Sequence, residues 1–352
     1  MDVRDAFERH HGFLDTASYG LPPLSELAAL REAMGRWATG EADWYAEWLS
    51  ATDTARELIA RLLGVPSCTV TTGPSTSVLL GLVATALPSG ARIVVPEVEF
   101  TSNVFPWLAL AERDHYKVRF VPLEALADEV DRGADVVSFS LVQSSTGEVA
   151  DLDAAREAAR RVGALVVVDA TQALGWLPVD LDGVDALVAS AYKWLLAPRG
   201  AAILATSERL RERMVPLYAN WYAGDPIPAS LYGPPLRLAT TARRFDPSPA
   251  WFSWVGAVPA LELLLSIGVD AIWAHDTELA SAMRNLLGLR EPRRPSAIVT
   301  VALEEAPLEL PSRVSVRDGR VRISFHLYND LADVEGLAER LRPLGVRPTD
   351  SH

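Results

Sequence analysis

The sequence predicts an α/β protein with a mainly parallel, doubly wound seven-stranded sheet in a large domain, followed by a small α+β C-terminal domain. Between about residues 60 and 206, short runs rich in β-branched residues alternate with stretches of helical periodicity. Several of these runs are almost continuously apolar, which is typical of strands buried on both faces. Beyond residue 250 the order changes to a long helix, then strands, then a helix. This change predicts the second domain.

The first predicted element is helical, at 24–63, and it carries Trp37, Trp44, Tyr45 and Trp48. We expect these aromatic residues to form core or a subunit interface rather than a cofactor site. Strands are then predicted at 68–73, 91–97, 118–123, 135–142, 164–170, 186–192 and 200–206, and helices between them at 75–87, 103–113 and 152–162. Such sheets bind ligands at the carboxyl ends of their strands. The residues that follow each strand are therefore where we expect chemistry.

A Pro/Gly/Tyr-rich stretch at 216–250 ends the sheet region and is either a domain boundary or an active-site loop. The elements beyond it are a helix at 251–268, strands at 297–303 and 313–327, the latter folded at an Asp318-Gly319 turn, and a helix near 331–342. We predict a large domain over 15–245 and a small domain formed by 246–352 together with 1–14.

Composition excludes several classes of protein. The 352 residues carry a net charge of −13, and this acidic balance argues against binding to a nucleic-acid backbone. Cys68 is the one cysteine, which excludes a disulfide framework and thiolate metal sites. The six histidines show no metal-ligand spacing, so no metal is expected. Neither a secretory signal nor an apolar run of about 18–20 residues is visible, so we predict a cytoplasmic protein without membrane contact.

Lysine is scarce in this chain. Of 33 basic residues, only Lys117 and Lys193 are lysines. Lys117 lies in a charged helix-to-strand connection, which is typical of the surface. Lys193 follows a buried strand in a stretch that is otherwise almost uncharged. A lone lysine beside an apolar run usually extends to solvent, but arginine cannot form an imine because it does not deprotonate. A lysine here therefore favours amine chemistry.

Two further segments complete a chemical pattern. Asp169 ends the apolar strand in ALVVVDATQALG, 24 residues before Lys193, and serves either as a helix cap or ion-pair partner or as a carboxylate facing a cationic ligand nitrogen. The segment TTGPSTS places Ser75 and Thr76 at a strand-to-helix turn, where hydroxyl and N–H groups favour an anion. An imine-forming lysine, a carboxylate for a pyridine nitrogen and a phosphate cradle are what pyridoxal 5'-phosphate (PLP) requires. Together the three segments predict a PLP site.

These segments resemble those of the class V aminotransferase family of PLP enzymes, which have PLP fold type I. The resemblance extends over nearly the whole length of the chain. The resemblance rests on GPSTS, VDATQALG, SAYK, RFDPSP and VRISFHLYND. It implies that Asp169 pairs with the pyridine nitrogen, Gln172 with the phenolic oxygen and Lys193 with the aldehyde carbon of PLP. The phosphate contacts that it implies are Ser75, Thr76, Ser190, Tyr192 and Ser248. Ser248 lies in a segment that matches a loop contributed to the active site by the other subunit. The resemblance therefore implies a homodimer with shared active sites.

The same resemblance suggests substrate contacts. Arg322 matches the arginine that binds the substrate α-carboxylate. Phe100 takes the position of a histidine that stacks on the ring in desulfurases, and it can stack but not transfer protons. Gln143 and Ser144 follow the predicted strand at 135–142 and are candidates for contact with the substrate or with the phenolic oxygen, although packing alone also explains both. Tyr19, and His326 with Asn329, are further substrate-side candidates.

The departures from the family pattern narrow the predicted reaction. Desulfurases carry a catalytic cysteine shortly before the arginine segment, and residues 304–321 contain none. The resemblance therefore favours a PLP-dependent C–S lyase that cleaves an S-substituted cysteine by β-elimination, a reaction type found in sulfur natural-product biosynthesis. An aminotransferase, an epimerase or a decarboxylative deaminase acting on an amino acid remains the alternative, because these reactions share the first carbanion. A PLP-binding protein without activity is the other alternative, which the intact residue set argues against.

Overall fold

The computed structural model describes residues 2–8, 10, 12–304 and 313–347, and its strands form one sheet of seven and one of four. The larger sheet consists of β1 (Val70–Gly73), β2 (Arg92–Pro96), β3 (Lys117–Val121), β4 (Val136–Ser140), β5 (Leu165–Asp169), β6 (Ala186–Ser190) and β7 (Ala202–Thr206). Their order is β1-β7-β6-β5-β4-β2-β3. Strands β2 to β6 run parallel, whereas β7 is antiparallel to both β6 and β1. The predicted mainly parallel sheet of seven strands is confirmed.

Strand β5 shows why the central runs are apolar at every position. All five of its residues are buried. Alternate side chains of a strand point to opposite faces, and Val166 and Val168 pack in one core cluster while Leu165 and Val167 pack in another. Burying a valine or leucine contributes about 1.5–3 kcal/mol. The sheet therefore has a core on each face, as the doubly wound prediction requires.

Helices cover both faces and connect the strands. In chain order they are α1 (Leu24–Thr39), α2 (Ser50–Leu63), α3 (Thr76–Ala84), α4 (Phe105–Asp114), α5 (Leu126–Asp131), α6 (Leu152–Val162), α7 (Glu208–Arg211), α8 (Trp251–Ile267), α9 (Val269–Leu287) and α10 (Leu331–Leu341). Sequence reasoning did not predict α9. Its buried residues Ile272, Leu279 and Met283 do recur at helical spacing, so the signal was present.

The smaller sheet is antiparallel, in the order β11-β8-β10-β9. Its strands are β8 (Ile298–Leu303), β9 (Ser315–Arg317), β10 (Arg320–Ser324) and β11 (Val346–Arg347). Asp318 and Gly319 adopt φ of +48° and +73°, so the predicted turn joins β9 to β10. Residues 305–312 and 348–352 of the predicted small domain lie outside the described residues.

Helix α8 lies against α1 and α2, and its Trp254, Leu261 and Leu264 belong to the core beside the larger sheet. The division of the chain at residue 246 stays a prediction. In the described part of the chain, no single helix is both long and apolar enough to span a membrane. Only α8 and α9 taken together pass that test, and they meet at an angle of 83°.

The stretch 216–250 is largely without regular secondary structure, and a buried ion pair fixes its end. The Arg56 guanidinium donates to Asp246 Oδ2 at 2.6 Å, and Asp246 also accepts from the Thr72 N–H at 3.0 Å. Arg56 is 6% exposed and Asp246 is fully buried. These bonds attach the segment before Ser248 to α2 and β1.

Candidate active site

A cavity lies at the carboxyl ends of β4, β5 and β6 and at the N-terminus of α3, where the sheet topology places ligands. It is lined by Thr76, Phe100, Ser102, Ser140, Ser144, Asp169, Thr171, Gln172, Ser190, Tyr192 and Lys193. The structure thus brings together seven of the residues predicted for the cofactor. Ser102, Ser140 and Thr171 line the same cavity and were missed, because isolated Ser and Thr residues are too common after strands to be recognised from one sequence.

Three hydroxyl groups meet where α3 begins. The Thr76 hydroxyl lies 2.9 Å from that of Ser190 and 3.1 Å from that of Thr171. The Ser190 N–H donates to Thr171 Oγ1 at 3.1 Å, which fixes this group against β6. Hydroxyl donors at the N-terminus of a nine-residue helix form a favourable environment for an anion. They are suited to a phosphate.

Asp169 and Lys193 are the buried charged pair of the cavity, 4% and 7% exposed. Burial raises the pKa of Asp169, an effect opposed by hydrogen bonds from Thr171, whose N–H donates to Asp169 Oδ1 at 2.8 Å. Burial lowers the pKa of Lys193 to about 8, with the Asp169 charge acting in the opposite direction. A lysine with this pKa has a substantial neutral fraction near neutral pH, which is the form that attacks a carbonyl carbon.

Close backbone packing holds the turn that carries Lys193. Gly20 donates its N–H to the Tyr192 carbonyl at 2.9 Å, and a Cβ on Gly20 would lie 2.2 Å from the Lys193 carbonyl oxygen. Leu196 adopts a φ of +58°, a left-handed conformation that is unfavourable for a branched side chain. The surrounding packing therefore imposes the geometry of this turn.

The rings of Phe100 and Tyr192 both lie close to the Lys193 amine, and the Tyr192 ring centroid is 5.8 Å from Nζ. The Phe100 ring centroid is 5.6 Å from Lys193 Nζ, and the ring is 49% exposed at the cavity. Trp194 donates its indole N–H to Gln172 Oε1 at 2.8 Å, while Gln172 Nε2 donates to the Ala17 carbonyl and to Ser144 Oγ. Gln172 lines the cavity, but its amide is occupied by protein partners. Its contact with the phenolic oxygen stays a prediction.

Arg322 stands behind Ser144 and is 1% exposed. Its Nη1 donates to the Ser144 carbonyl at 2.7 Å, and its Nη2 donates to Ser18 Oγ at 2.8 Å and to Asp15 Oδ1 at 3.4 Å. Its Nε donates to Ser315 Oγ at 3.1 Å. Burial lowers the pKa of Arg322 to about 10. Arg322 lies behind the residues that line the cavity, and its binding of a substrate carboxylate, which would replace some of these bonds, stays a prediction.

The structure corrects the prediction for His326. The side chain is fully buried, its Nδ1 lies 3.0 Å from Asp276 Oδ2, and its Nε2 lies 3.2 Å from the Trp194 carbonyl. Asn329 is also fully buried and donates to the Phe13 carbonyl at 2.8 Å. Neither side chain lines the cavity, because both are held by hydrogen bonds in the interior. His326 supports the Lys193 turn from behind.

Gln143 is corrected in the same way. It is fully buried, and its Nε2 donates to Glu99 Oε1 at 2.8 Å, away from the cavity that its neighbour Ser144 lines. The Glu99 carboxylate also accepts from the Ser140 N–H at 2.6 Å and from Asn103 Nδ2 at 3.0 Å. Burial raises the pKa of Glu99. This cluster fixes the segment that carries Phe100, and sequence reasoning did not identify Glu99.

Ser75, Tyr19 and Ser248, which were predicted for the site, do not line the cavity. Ser75 immediately precedes α3, and its hydroxyl is 3.3 Å from that of Ser77. Tyr19 is 46% exposed, with its ring 5.0 Å from that of Phe13. Ser248 is exposed on the loop before α8. Their contacts with cofactor or substrate stay predictions.

This arrangement fits PLP on the observations of the structure itself. The hydroxyl group at α3 suits the phosphate, the buried Asp169 suits a protonated pyridine nitrogen, and Lys193 provides the amine. Phe100 provides a flat apolar surface above the amine. Fold and site together define an enzyme that binds a cofactor through a buried lysine at the carboxyl edge of an α/β sheet.

Comparison with known proteins supports the same class of enzyme. Residues 30–306 match the family described as Aminotransferase class-V. The chain is 27% identical, over 97% of both proteins, to "Probable cysteine desulfurase" of Aeropyrum pernix. It is 29% identical to isopenicillin N epimerase of Streptomyces clavuligerus, over 68% of this chain and 65% of that protein. The solved complex of the cystine C–S lyase C-DES with cysteine persulfide has a TM-score of 0.82 at 20% identity, covering 95% of this chain and 98% of that chain.

The chain belongs to the class V aminotransferase family. It is a PLP-dependent enzyme whose relatives include proteins described as cysteine desulfurases. The predicted fold type, cofactor and enzyme class are confirmed.

Proposed function

We propose that this enzyme cleaves the C–S bond of an S-substituted L-cysteine by β-elimination, giving a thiol, pyruvate and ammonia. The observation that carries the proposal is that Lys193 is the one amine in the lining of a cavity that contains neither a cysteine nor a histidine. Phe100 stands where desulfurases have a histidine, and it cannot transfer a proton.

The position of Cys68 supports elimination rather than persulfide formation. Cys68 is exposed and lies just before the first residue of β1, whereas the cavity begins after the last residue of that strand, at Thr76. The strand thus separates the thiol from Lys193. The segment in which desulfurases carry their cysteine contains none in this chain.

Arg322 and Lys193 have different roles in the proposed reaction. Arg322 binds the α-carboxylate and so orients Cα towards Lys193. The neutral amine of Lys193 accepts the α-proton, the C–S bond breaks, and the sulfur leaves with the bonding electrons. PLP, when bound, supplies an electron sink for the charge that develops at Cα. Water hydrolyses the released enamine, so S-ethylcysteine and one water give ethanethiol, pyruvate and ammonia.

Incubation of the holoenzyme with S-ethyl-L-cysteine tests the proposal. We expect equal amounts of thiol, pyruvate and ammonia, and none from a Lys193→Ala variant. Keto acid that retains the sulfur substituent would instead identify an aminotransferase. Racemised substrate would identify an epimerase, and aldehyde with carbon dioxide a decarboxylative deaminase.

We also propose that the enzyme is a cytoplasmic homodimer in which Ser248 contacts the phosphate in the partner's site. Two observations support the dimer. Ser248 is exposed and does not line the cavity of its own chain. Trp37, Trp44 and Tyr45 are 59%, 39% and 46% exposed in a cluster with Trp251, and exposed aromatic surface of this kind is typical of interfaces. Sedimentation of the purified protein tests it, and a monomer that retains full activity would contradict it.

A further inference from the structure

The hairpin of β9 and β10 has one face that is unusually rich in arginine. Ser315 pairs with Arg322 and Arg317 pairs with Arg320 across the two strands, so these four side chains share a face. Val321 and Ile323 point to the other face and are buried in the small-sheet core. The alternation therefore places the side chains of Arg317, Arg320 and Arg322 on one face of the hairpin.

Only one of these arginines has an acidic partner among the residues that the structure describes. Arg322 contacts Asp15 at 3.4 Å, and no described carboxylate lies within ion-pair distance of Arg317 or Arg320. Arg317 is exposed, and its Nη2 donates to Ser18 Oγ at 3.4 Å. The same hydroxyl accepts from Arg322 at 2.8 Å. The two guanidinium groups are thus two hydrogen-bond lengths apart.

Charge is out of balance on this side of the cavity. After the larger effect of burial, the charge of Arg317 helps to lower the pKa of both Lys193 and Arg322, so it acts on the reacting amine as well as on the carboxylate binder. Asp15 accompanies Arg322, whereas Arg317 has no counter-charge among the described residues. A ligand whose first carboxylate binds Arg322 can supply that counter-charge with a second anion.

We propose that Arg317 is a specificity residue that binds a second carboxylate, carried on the sulfur substituent of the substrate. This inference rests on the proposed function and names the substrate class as S-(carboxyalkyl)cysteines. In S-carboxymethyl-L-cysteine, four atoms separate the two carboxyl groups, so the chain can bend to reach two neighbouring guanidinium groups. Arg322 holds the α-carboxylate, and Arg317 holds the distal one.

The kinetic test uses two substrates that differ in charge but not in shape, S-carboxymethyl-L-cysteine and S-carbamoylmethyl-L-cysteine. We expect the wild-type holoenzyme to prefer the carboxylate in kcat/KM by about tenfold, the effect of one charge-assisted pair. Arg317→Gln should bring the ratio close to one, and Arg317→Lys should restore part of it. Arg320→Gln removes a charge from the same face and should keep the wild-type ratio. Loss of the preference in Arg320→Gln but not in Arg317→Gln would overturn the proposal.

A binding test that needs no turnover separates the two hypotheses. Calorimetry with the holoenzyme compares adipate, whose carboxyl groups are separated by four methylenes, with its monoamide. We expect adipate to bind about tenfold more tightly to the wild type and equally to Arg317→Gln. If adipate shows this preference but neither cysteine derivative yields thiol, the proposed reaction is wrong and the role of Arg317 stands. If both derivatives are cleaved equally well, the role of Arg317 is wrong and the reaction stands. If Arg317→Gln weakens the binding of adipate and of its monoamide equally, Arg317 binds the carboxylate that the two ligands share, which also overturns the inference.

Discussion

The two walls of the cavity are built in different ways. The cofactor wall, consisting of Thr76, Asp169, Thr171, Ser190 and Lys193, comes from neighbouring strand ends of one sheet. The proposed substrate wall consists of Ser144, which lines the cavity, and of Asp15, Ser18 and Arg322 behind it, and it joins the N-terminal segment to a hairpin about 300 residues further along the chain.

Their electrostatics differ as well. In the cofactor wall one buried carboxylate accompanies one buried amine, and short bonds among hydroxyls fix the rest. In the substrate wall Asp15 accompanies Arg322, and Arg317 beside it has no acidic partner within the described residues. Ser144 connects the two, because its hydroxyl accepts from both Gln172 and Arg322. The cofactor wall is therefore organised for a permanent ligand, and the substrate wall for one that exchanges.

The largest effect should come from removing the amine of the cofactor wall. Lys193→Ala eliminates the group that receives the α-proton, so we expect kcat for thiol release to fall by about a thousandfold. The absorbance of the bound cofactor should change at the same time. Lys117→Ala is the matched control, since Lys117 is the other lysine and is exposed on β3. A Lys193→Ala enzyme with wild-type turnover would contradict the assignment.

Asp169→Asn keeps the shape of the cofactor wall and removes its negative charge. Without a carboxylate to hold the pyridine nitrogen protonated, we expect kcat to fall by about a hundredfold with little change in KM. Asp185→Asn provides the control: Asp185 is equally buried but pairs with Arg209 at the opposite end of β6. Its activity per folded molecule should match the wild type, and parallel losses in both variants would indicate a structural role for Asp169.

On the substrate wall, Arg322→Gln should act mainly on binding. Loss of a charge-assisted bond to the α-carboxylate predicts a KM increase of about a hundredfold, with kcat changed only a few-fold. Arg322→Lys keeps the charge but not the paired geometry, so its KM should be intermediate. Steady-state kinetics with S-ethyl-L-cysteine measures both. A fall in kcat with KM unchanged would show that Arg322 does not bind the substrate carboxylate.

The pKa of Lys193 predicts how the cofactor wall depends on pH. Capture of PLP needs the neutral amine, so the rate constant for PLP uptake by the apoprotein should fall about tenfold per unit below pH 8 and level off above it. The folded protein releases this proton near pH 8 and the unfolded chain near 10.5. Because the unfolded state then binds more protons, the free energy of unfolding should rise with pH through this window. Stopped-flow absorbance measures the rate of PLP uptake, and urea unfolding measures the free energy of unfolding. An uptake rate that does not depend on pH would contradict the lowered pKa of Lys193.

The smallest effect on activity is expected for His326, which lies outside both walls. His326→Phe keeps a ring of similar size but leaves Asp276 and the Trp194 carbonyl without their partner. We expect the free energy of unfolding to fall by about 3 kcal/mol while kcat/KM per folded molecule stays within a factor of two. If His326→Phe raised KM strongly without changing the free energy of unfolding, His326 would have to contact the substrate.

The cofactor wall was predictable because its residues follow apolar runs that the sequence shows clearly. Asp169 ends β5 and Lys193 lies shortly after β6, both strands are buried at every position, and parallel neighbouring strands bring their ends together at one edge. Two residues of the substrate wall were predicted, Ser144 from its position after a strand and Arg322 through a family resemblance. The Arg322 partners Asp15 and Ser18 lie in a segment without periodicity, so only the long-range pairing of that segment with the hairpin identifies them.

By itself, the sequence determined the seven strands of the larger sheet, the two-faced core of that sheet and the chemistry of the single well-placed lysine. These follow from local patterns, since side-chain period and strand-end position are properties of short segments. The tertiary structure decided which polar side chains face the cavity. It turned His326 and Gln143 into the interior and brought Arg317 beside Ser18. Such outcomes depend on how distant segments pack, and burial and hydrogen-bond satisfaction are settled only when those segments meet.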